Sequence, residues 1–295
     1  MWTVDGAQSM AEDYPGEANV DRRVVEAFGQ EWARFDNLNL DLVELQEMFE
    51  GYFSIFPFGE LPDNAVGFDA GCGSGRWAQF VAPKVGRLIC IDASHQAITV
   101  AKSTLADHPN VEYRTEDISA LELPTASCDF GYSLGVLHHI PNTEQAARSC
   151  VSKLKPGAPF LVYLYYDLAD SGPVHRGLLS VVTAVRFLTS RLPRLLRQLV
   201  ADLIALVVYL PLSRTARFFE RLGFDETKFP LFQYRHRSFS VLRNDALDRF
   251  GTRLEKRYDR DGIRRLLEDA GLEDIVFSDK PPWWVACGRR APGRQ

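Results

Sequence analysis

Short apolar runs alternate with longer segments of helical character through the middle of the chain, from about residue 66 onward. Glycine, proline or charged residues bound each run, which is typical of buried strands. Strands that alternate regularly with helices predict a parallel sheet covered by helices on both faces. The predicted strands are Val66–Asp69, Arg87–Asp92, Val111–Thr115, Cys128–Ser133 and Phe160–Tyr165.

The C-terminal region has a different pattern. Asp259–Ala270 begins with acidic residues and carries apolar positions at helical spacing, and Gly271 is placed to end the helix. Two apolar runs follow, Ile275–Phe277 and Trp283–Cys287, separated by a pair of prolines. This pattern predicts a final helix and a pair of strands that closes the sheet.

The first predicted strand runs into a loop with glycine at every second position, Gly71, Gly73 and Gly75, just after Asp69. Glycine has no Cβ, so the backbone can turn sharply and approach a ligand closely, and the following helix offers unpaired N–H groups. The spacing departs from the dinucleotide fingerprint, and a carboxylate here suits a ligand with an ammonium group better than a pyrophosphate. The alternative is an ordinary tight turn.

Acidic residues also follow the next two strands. Asp92 lies about 20 residues beyond the glycines, where α/β nucleotide folds hold ribose hydroxyls; alternatively it caps the next helix, a role that it could share with Ser94. Asp117 could accept a hydrogen bond from an adenine amino group while Ile118 packs on the ring, although alone it is an ordinary surface acid. In series, the three acids predict anchors for different parts of one cofactor.

Adjacent histidines, His138 and His139, follow the fourth predicted strand. Open α/β sheets bind ligands at this carboxyl edge. Histidine titrates near neutral pH and can accept a proton, so either residue could act as a general base. The alternative is that one of them packs in the core or caps the next helix.

Together these motifs resemble those of the class I S-adenosylmethionine-dependent methyltransferases, and most of all the bacterial group of ubiquinone and menaquinone C-methyltransferases. The likeness covers about residues 60–166 and the C-terminal strand pair. It is carried by Asp69–Gly75, Asp92, Asp117, Gly135–Pro141 and Leu154–Gly157.

The resemblance implies an α/β fold with a Rossmann-like, seven-stranded, mostly parallel sheet that ends in an antiparallel strand. It implies S-adenosylmethionine as the cofactor, with S-adenosylhomocysteine as the product. The glycine loop would hold the methionine part, Asp92 the ribose and Asp117 the adenine, and Asp69 would lie near the ammonium group. The predicted cofactor contacts of the core are Asp69, Gly71, Gly73, Asp92, Ala93, Asp117, Ile118 and Leu134.

Composition narrows the class of protein. A chain of 295 residues with 46% hydrophobic content can bury one large core, or one core and a subdomain. The net charge of −5 argues against broad binding to nucleic acid. The five cysteines are scattered without metal-binding spacing, so we expect no metal site and reduced thiols in a cytoplasmic protein, and no secretory signal is evident.

The chain is predicted to divide into an N-terminal helical lid (1–60), a methyltransferase core (61–166 and 258–295) and a helical cap insertion (167–257). In the lid, Phe28 and Trp32 share a helical face. We predict that they line the cofactor pocket, because a sulfonium is attracted to aromatic faces. The alternative is that they pack against the core.

The cap contains an apolar stretch, 180–212, interrupted by arginines and by Pro193 and Pro211, which we expect to break helices. Its most apolar run, Leu203–Leu212, is too short to span a bilayer. We expect the cap helices to bury their apolar faces against each other and the core; the alternative is a basic amphipathic surface that contacts a membrane. The predicted substrate contacts lie in the loop that returns to the core: Tyr234, Arg235 and His236.

The sequence therefore predicts an enzyme that transfers a methyl group to an oxygen, carbon or nitrogen of a small molecule, in secondary or envelope metabolism. Quinone precursors, polyketides, sugars and lipid intermediates all fit as acceptors. One alternative is a non-catalytic or regulatory protein that binds S-adenosylmethionine. Another is a methyltransferase that works on a lipid or quinone precursor at a membrane surface.

Overall fold

The computed structural model describes residues 19–34, 42–165, 172–225, 229–280, 282 and 284–292, with the backbone alone for 172–179. The polar stretch that precedes residue 19 and the predicted start of the cap at residue 167 lie outside the described residues.

A seven-stranded sheet forms the centre of the molecule, in the order β3-β2-β1-β4-β5-β7-β6. The first five strands are parallel, whereas β7 runs antiparallel to both β5 and β6. The predicted fold class is thereby confirmed, including the closing antiparallel pair. The strands are Val66–Ala70 (β1), Arg87–Asp92 (β2), Val111–Thr115 (β3), Phe130–Leu134 (β4), Pro159–Tyr163 (β5), Leu272–Phe277 (β6) and Val285–Arg290 (β7).

Helices cover both faces of the sheet. The apolar face that contains Phe68, Ile89 and Phe160 packs with residues of α5 and α10, and the face that contains Leu88, Phe130 and Leu161 packs with residues of α2, α3 and α4. Because the central strands are buried on both faces, they read as nearly continuous apolar runs. The core helices are α1 (Arg22–Arg34), α2 (Leu42–Tyr52), α3 (Ala78–Val81), α4 (His95–Thr104), α5 (Thr143–Lys153) and α10 (Arg260–Asp269).

Aromatic residues of α2 and the segment after it pack against the sheet. Phe49 and Phe53 stack with their ring centroids 4.4 Å apart, and the Phe53 ring meets Tyr132 of β4 edge-on at 5.2 Å. This part of the N-terminal region therefore packs against the core. The aromatic side chains of α1 lie elsewhere, over the cavity described below.

The cap consists of α6 (Gly172–Thr189), α7 (Arg194–Ile204), α8 (Leu210–Arg221) and α9 (Phe239–Gly251). A π-helical segment, Ala205–Tyr209, joins α7 to α8, so that 194–221 is one continuous helix of 28 residues, the cap's long helix. Pro211 was expected to break this helix, and that expectation is wrong. It lies in the first turn of α8, directly after the π segment, and such bulges accommodate an irregular hydrogen-bond pattern.

The exposure of this long helix also contradicts the expected burial of the cap's apolar faces. By length and composition it could cross a membrane, since its most apolar window has a mean hydropathy of 1.8, yet only 17% of that window is buried. The cap does have a small apolar core around Ala205, Tyr209, Leu242 and Phe250. Most of the large apolar side chains on the long helix lie outside this core.

Candidate active site

A cavity of about 310 Å³ opens at the carboxyl edge of the sheet. Its walls come from three parts of the chain: the loops after the parallel strands, the N-terminal segment with α1, and α9 of the cap. The lining residues include Gly71, Asp92, Asp117 and His139 from the loops, Asn19, Phe28 and Trp32 from the N-terminal part, and Asn244, Asp245 and Asp248 from α9.

The glycine loop after β1 is folded too tightly to carry a side chain at Gly71 or Gly73. Gly71 and Gly73 have φ angles of +88° and +54°, which residues with a Cβ rarely adopt. A Cβ on Gly71 would lie 2.4 Å from Val136 Cγ2, and a Cβ on Gly73 would lie 2.7 Å from the Trp32 ring. Gly71 lines the cavity, whereas Gly73 lies outside the lining set, directly against Trp32.

Asp92 connects the glycine loop to the start of α4. Its two carboxylate oxygens accept hydrogen bonds from the backbone N–H groups of Gly73 (3.0 Å) and Ser94 (2.8 Å). Ser94 in turn caps α4, so the two residues divide the roles that the sequence left open. Burial raises the pKa of Asp92, and these two donors oppose the shift. With Ala93, Asp92 forms part of the cavity wall, where a ribose contact remains a prediction.

The predicted adenine end of the cavity is formed by Asp117, Ile118 and Leu134, all of which line it. Asp117 accepts a hydrogen bond from the N–H of Ser119 (2.8 Å) and so fixes the turn after β3. Asn19 was not predicted. Its side-chain amide donates to Ser119 Oγ (2.7 Å) and accepts from the backbone N–H of Asn142 (2.7 Å), which holds the N-terminal segment across this end.

Trp32 of α1 lies against the glycine loop at Gly73, and the lid role of α1 remains a prediction. Phe28 and Trp32 both line the cavity. The Arg76 guanidinium lies 5.1 Å from the centre of the Trp32 ring and 4.5 Å from that of Trp77, which is within cation–π range. Contact between these rings and a cofactor remains a prediction.

Asp69 does not lie in the cavity wall. Its side chain is nearly fully buried on β1 and is not among the residues that line the cavity. The sequence had predicted that Asp69 lies beside the ammonium group of the cofactor. Burial raises the pKa of Asp69 from 3.8 to about 8, which the Tyr132 hydroxyl opposes and Asp92 reinforces. The carboxyl group is therefore mostly protonated at neutral pH.

The raised pKa of Asp69 predicts a pH-dependent stability. Because the folded-state value exceeds the unfolded one, its favourable contribution is complete below pH 3.8 and is lost as pH rises through about 8. In chemical denaturation, the unfolding free energy of the wild type should fall relative to Asp69→Asn by about 1.4 kcal/mol per pH unit between about pH 5 and 7.5. A pH-independent difference between the two proteins would contradict this assignment.

The same titration examines the predicted ammonium contact. A bound cation beside Asp69 would favour its charged form and lower its pKa. Saturation with S-adenosylhomocysteine should then abolish the slope. If the slope persists at saturation, Asp69 does not contact the ammonium group of the ligand.

The two adjacent histidines occupy different environments. His138 is completely buried and does not line the cavity, and neither of its ring nitrogens has a hydrogen-bond partner among the described residues. Burial, followed by the charges of His139 and Arg257, lowers the pKa of His138 well below its usual value. His138 is thus a neutral core residue in this structure, which argues against its predicted role as the base.

His139 lines the cavity and is positioned by the cap. Its Nδ1–H donates to the carbonyl oxygen of Leu254 (2.7 Å), which leaves Nε2 as the acceptor in the neutral ring. Nε2 lies 3.7 Å from Asp248 Oδ1, and the Tyr165 hydroxyl donates to the other oxygen of that carboxyl group. The centre of the Phe28 ring lies 4.9 Å from the centre of the His139 ring. This arrangement can hold a protonated imidazole, as an adjacent carboxylate does in other acid–base sites.

A second polar group borders this end of the cavity. The Asn244 amide donates to Glu31 (2.5 Å) and accepts from Arg76 (3.4 Å). Burial, reinforced by Asp248, raises the pKa of Glu31 well above its usual value, and burial lowers the pKa of Arg76. None of these residues was predicted as a site residue. They come from α1, the glycine loop and α9, which are far apart in sequence and share no local motif.

The three predicted substrate contacts point in different directions. Tyr234 lines the cavity and donates to Asp245 (2.5 Å). Arg235 and His236 instead pair with Glu220 of α8, at 3.0 and 2.7 Å, and do not line the cavity. The side chains of consecutive residues at a 3₁₀ turn point in different directions. The three neighbouring residues therefore do not form one cluster in the structure. The structure therefore places Arg235 and His236 away from the predicted substrate position.

Comparison with known proteins adds the following. Residues 68–162 match the family described as a methyltransferase domain. A probable S-adenosylmethionine-dependent methyltransferase of Mycolicibacterium smegmatis is 32% identical over 94 residues, which are 32% of this chain and 35% of that protein. A ubiquinone biosynthesis O-methyltransferase of Albidiferax ferrireducens is 25% identical over 129 residues, or 43% and 49% of the two chains. The chain spans between a third and a half of the length of these relatives.

Among solved structures, human N-acetylserotonin methyltransferase in complex with S-adenosylmethionine has a TM-score of 0.51 to this chain, at 16% identity. The match covers 91% of this chain and 58% of the human one. At this level of identity the likeness concerns the fold.

Proposed function

We propose that this protein, whose residues 68–162 match the family described as a methyltransferase domain, transfers a methyl group from S-adenosylmethionine to an oxygen atom of a small-molecule acceptor. One observation carries the proposal. One cavity is lined both by most of the predicted cofactor residues and by His139 with Asp248.

The residues present fit the cofactor. The glycine loop leaves no room for a Cβ at Gly71 or Gly73, which is the shape of a backbone cradle. Asp92 and Asp117 both border the same cavity, and carboxylates can accept hydrogen bonds from a ribose and an adenine amino group. When bound, S-adenosylmethionine supplies a methyl group already activated by its sulfonium, so the protein mainly has to align the acceptor.

His139 performs the proton transfer that an oxygen acceptor requires. Its Nδ1–H is fixed on Leu254, so in the neutral ring the available lone pair is on Nε2, which is buried and has no hydrogen-bond partner among the described residues. The Asp248 carboxylate, 3.7 Å away, stabilises the imidazolium that forms when the acceptor loses its proton. A nitrogen acceptor would not need such a base, and a carbon acceptor would need it only if that carbon is acidic.

The charges at this end favour an uncharged, hydroxylated acceptor. Carboxyl groups of Glu31, Asp245 and Asp248 face the guanidinium groups of Arg76 and Arg237 around the cavity. An acceptor that carries a carboxylate or phosphate would meet more acidic than basic groups here. The similarity to a ubiquinone biosynthesis O-methyltransferase supports an oxygen acceptor.

A transfer assay with methyl-labelled S-adenosylmethionine tests this proposal. The purified protein is offered matched pairs of phenols and anilines, together with an organic extract of cells. Label in the phenol or quinol products is expected. Transfer to amines alone would contradict the role of His139. Cofactor binding without transfer to any of these acceptors would favour the non-catalytic alternative.

A further inference from the structure

The long helix of the cap, 194–221, reverses the usual amphipathic arrangement, because its exposed side is apolar. In this fully described helix, every exposed residue from Leu195 to Phe218 is apolar, except for Thr215. Leu195, Leu199 and Leu203 expose 73, 64 and 56% of their surface. Solvent-facing helices normally carry their charged residues on the outside. The exposed apolar residues are Leu195, Leu196, Leu199, Leu203, Leu206, Val207, Val208, Pro211, Leu212 and Phe218, and we call them the apolar face.

Two charged residues within the same helix point toward the protein. Asp202 accepts two hydrogen bonds from Arg243 of α9, both at 2.9 Å. Arg214 donates to the carbonyl oxygens of Arg235 and Arg237, at 2.8 and 3.1 Å. These polar side chains thus hold the helix against the rest of the cap. The exposed apolar side chains remain available for contact with a partner.

The inner side of the helix is built for close packing. Ala201, Ala205, Ser213 and Ala216 are completely buried, and α7 makes an extensive contact with α9. A helix that is committed to the protein along one side cannot be surrounded by lipid. It is about 42 Å long, so it can lie along a bilayer surface with its apolar face in the boundary between headgroups and acyl chains.

The exposed charges around the apolar face are all basic. Between Ser180 and Leu222, the exposed charged residues are Arg191, Arg194 and Arg221, although the whole chain carries a charge of −5. At the amino end of the helix, a cleft is bordered by five arginines and one carboxylate: Arg23, Arg191, Arg194, Arg197, Arg253 and Glu26. The neighbouring charges of Arg194 and Arg253 contribute to a lowered pKa of Arg197, after the larger effect of burial. This end of the helix therefore favours an anionic partner.

We propose that the protein docks on anionic membranes through the apolar face, with the arginine cleft against lipid phosphate groups. Basic residues next to a bilayer are attracted by its negative surface, and inserted apolar side chains add to that attraction. A second copy of the chain fits this surface less well. Two such helices paired in parallel would bring the arginine clefts of both copies together. The proposal is independent of the methyl transfer proposed above.

Vesicle flotation of the full chain tests the docking. The wild type should float with vesicles of phosphatidylcholine and phosphatidylglycerol, and weakly with phosphatidylcholine alone. Leu203→Glu should reduce the bound fraction by about tenfold, and adding Leu199→Glu and Val207→Glu should abolish it, since charges are costly in the membrane interior. Circular dichroism and thermal unfolding should be unchanged, because these side chains are exposed.

The matched control is Val276→Glu on the edge strand β6. Val276 exposes 53% of its surface and Leu203 exposes 56%, so the two substitutions introduce the same charge at positions of similar exposure. The control should float like the wild type. A second variant, Arg191→Gln with Arg194→Gln, should lose the preference for anionic vesicles, and high salt should have the same effect.

Two results would overturn the docking proposal. One is the absence of flotation with either vesicle composition. The other is sedimentation of the lipid-free wild type as a dimer that Leu203→Glu converts to a monomer, together with an equal bound fraction for Leu203→Glu and Val276→Glu. That outcome would assign the apolar face to a second copy of the chain.

Discussion

Replacing Asp92 with alanine is expected to weaken the binding of S-adenosylhomocysteine by about 100-fold or more, since two hydrogen bonds to a charged acceptor would be lost. The same change removes the acceptor for the N–H groups of Gly73 and Ser94, which hold the glycine loop against α4. The loss therefore combines a missing ligand contact with a less ordered cradle. Titration calorimetry measures it directly.

Asp92→Asn separates these two contributions. The amide oxygen can still accept from one backbone N–H group, so the loop should stay closer to its native geometry, and the affinity should fall less than in Asp92→Ala. Asp129→Ala provides a control for the loss of a strand-associated carboxylate, because Asp129 accepts from the backbone of Val66 and from Lys155, away from the cavity. Unchanged affinity in a folded Asp92→Ala protein would remove Asp92 from the cofactor site.

His139→Ala is expected to lower the rate of methyl transfer to a hydroxyl acceptor by about 10²- to 10⁴-fold, the usual contribution of a positioned general base. S-adenosylhomocysteine affinity should change less than the rate, because His139 is not among the predicted cofactor contacts. The measurement is single-turnover transfer of labelled methyl, with calorimetry on the same preparation. A variant that kept full turnover would exclude His139 as the base.

Asp248→Asn is the informative companion variant. It preserves the shape of the side chain and can still accept a hydrogen bond from Tyr165, but it removes the negative charge beside Nε2. The rate should fall by less than in His139→Ala. The pH dependence of the rate should change, because the charge beside the proposed base is gone, whereas a simple loss of fold would lower the rate equally at every pH.

The sequence was most informative where function depends on neighbouring residues. Gly71, Asp92 and Asp117 each follow a strand, and parallel strands end at one edge, so their meeting in one cavity followed from the strand pattern alone. His138 and His139 could not be distinguished in this way. They are adjacent in sequence and both buried, and only the packing of the 3₁₀ turn directs the second ring toward Leu254 and the cavity.

Other parts of the site depend on contacts between distant segments. Glu31, Asn244 and Asp248 come together only because α1 and α9 both pack over the sheet edge. No spacing in the chain indicates that meeting. In the cap, hydrophobic periodicity identified an apolar helix but not which partner covers it. The expectation that the protein itself would cover that helix was wrong because its charged residues, such as Asp202 and Arg214, occupy the inner side.

Every assignment at this site depends on the binding of S-adenosylmethionine in the cavity at the sheet edge. Titration calorimetry of the wild-type protein with S-adenosylhomocysteine and, separately, with NAD tests it most directly. The three-acid arrangement and the glycine spacing predict saturable binding of S-adenosylhomocysteine at one site per chain and no heat of binding with NAD. Binding of NAD without binding of S-adenosylhomocysteine would contradict the claim.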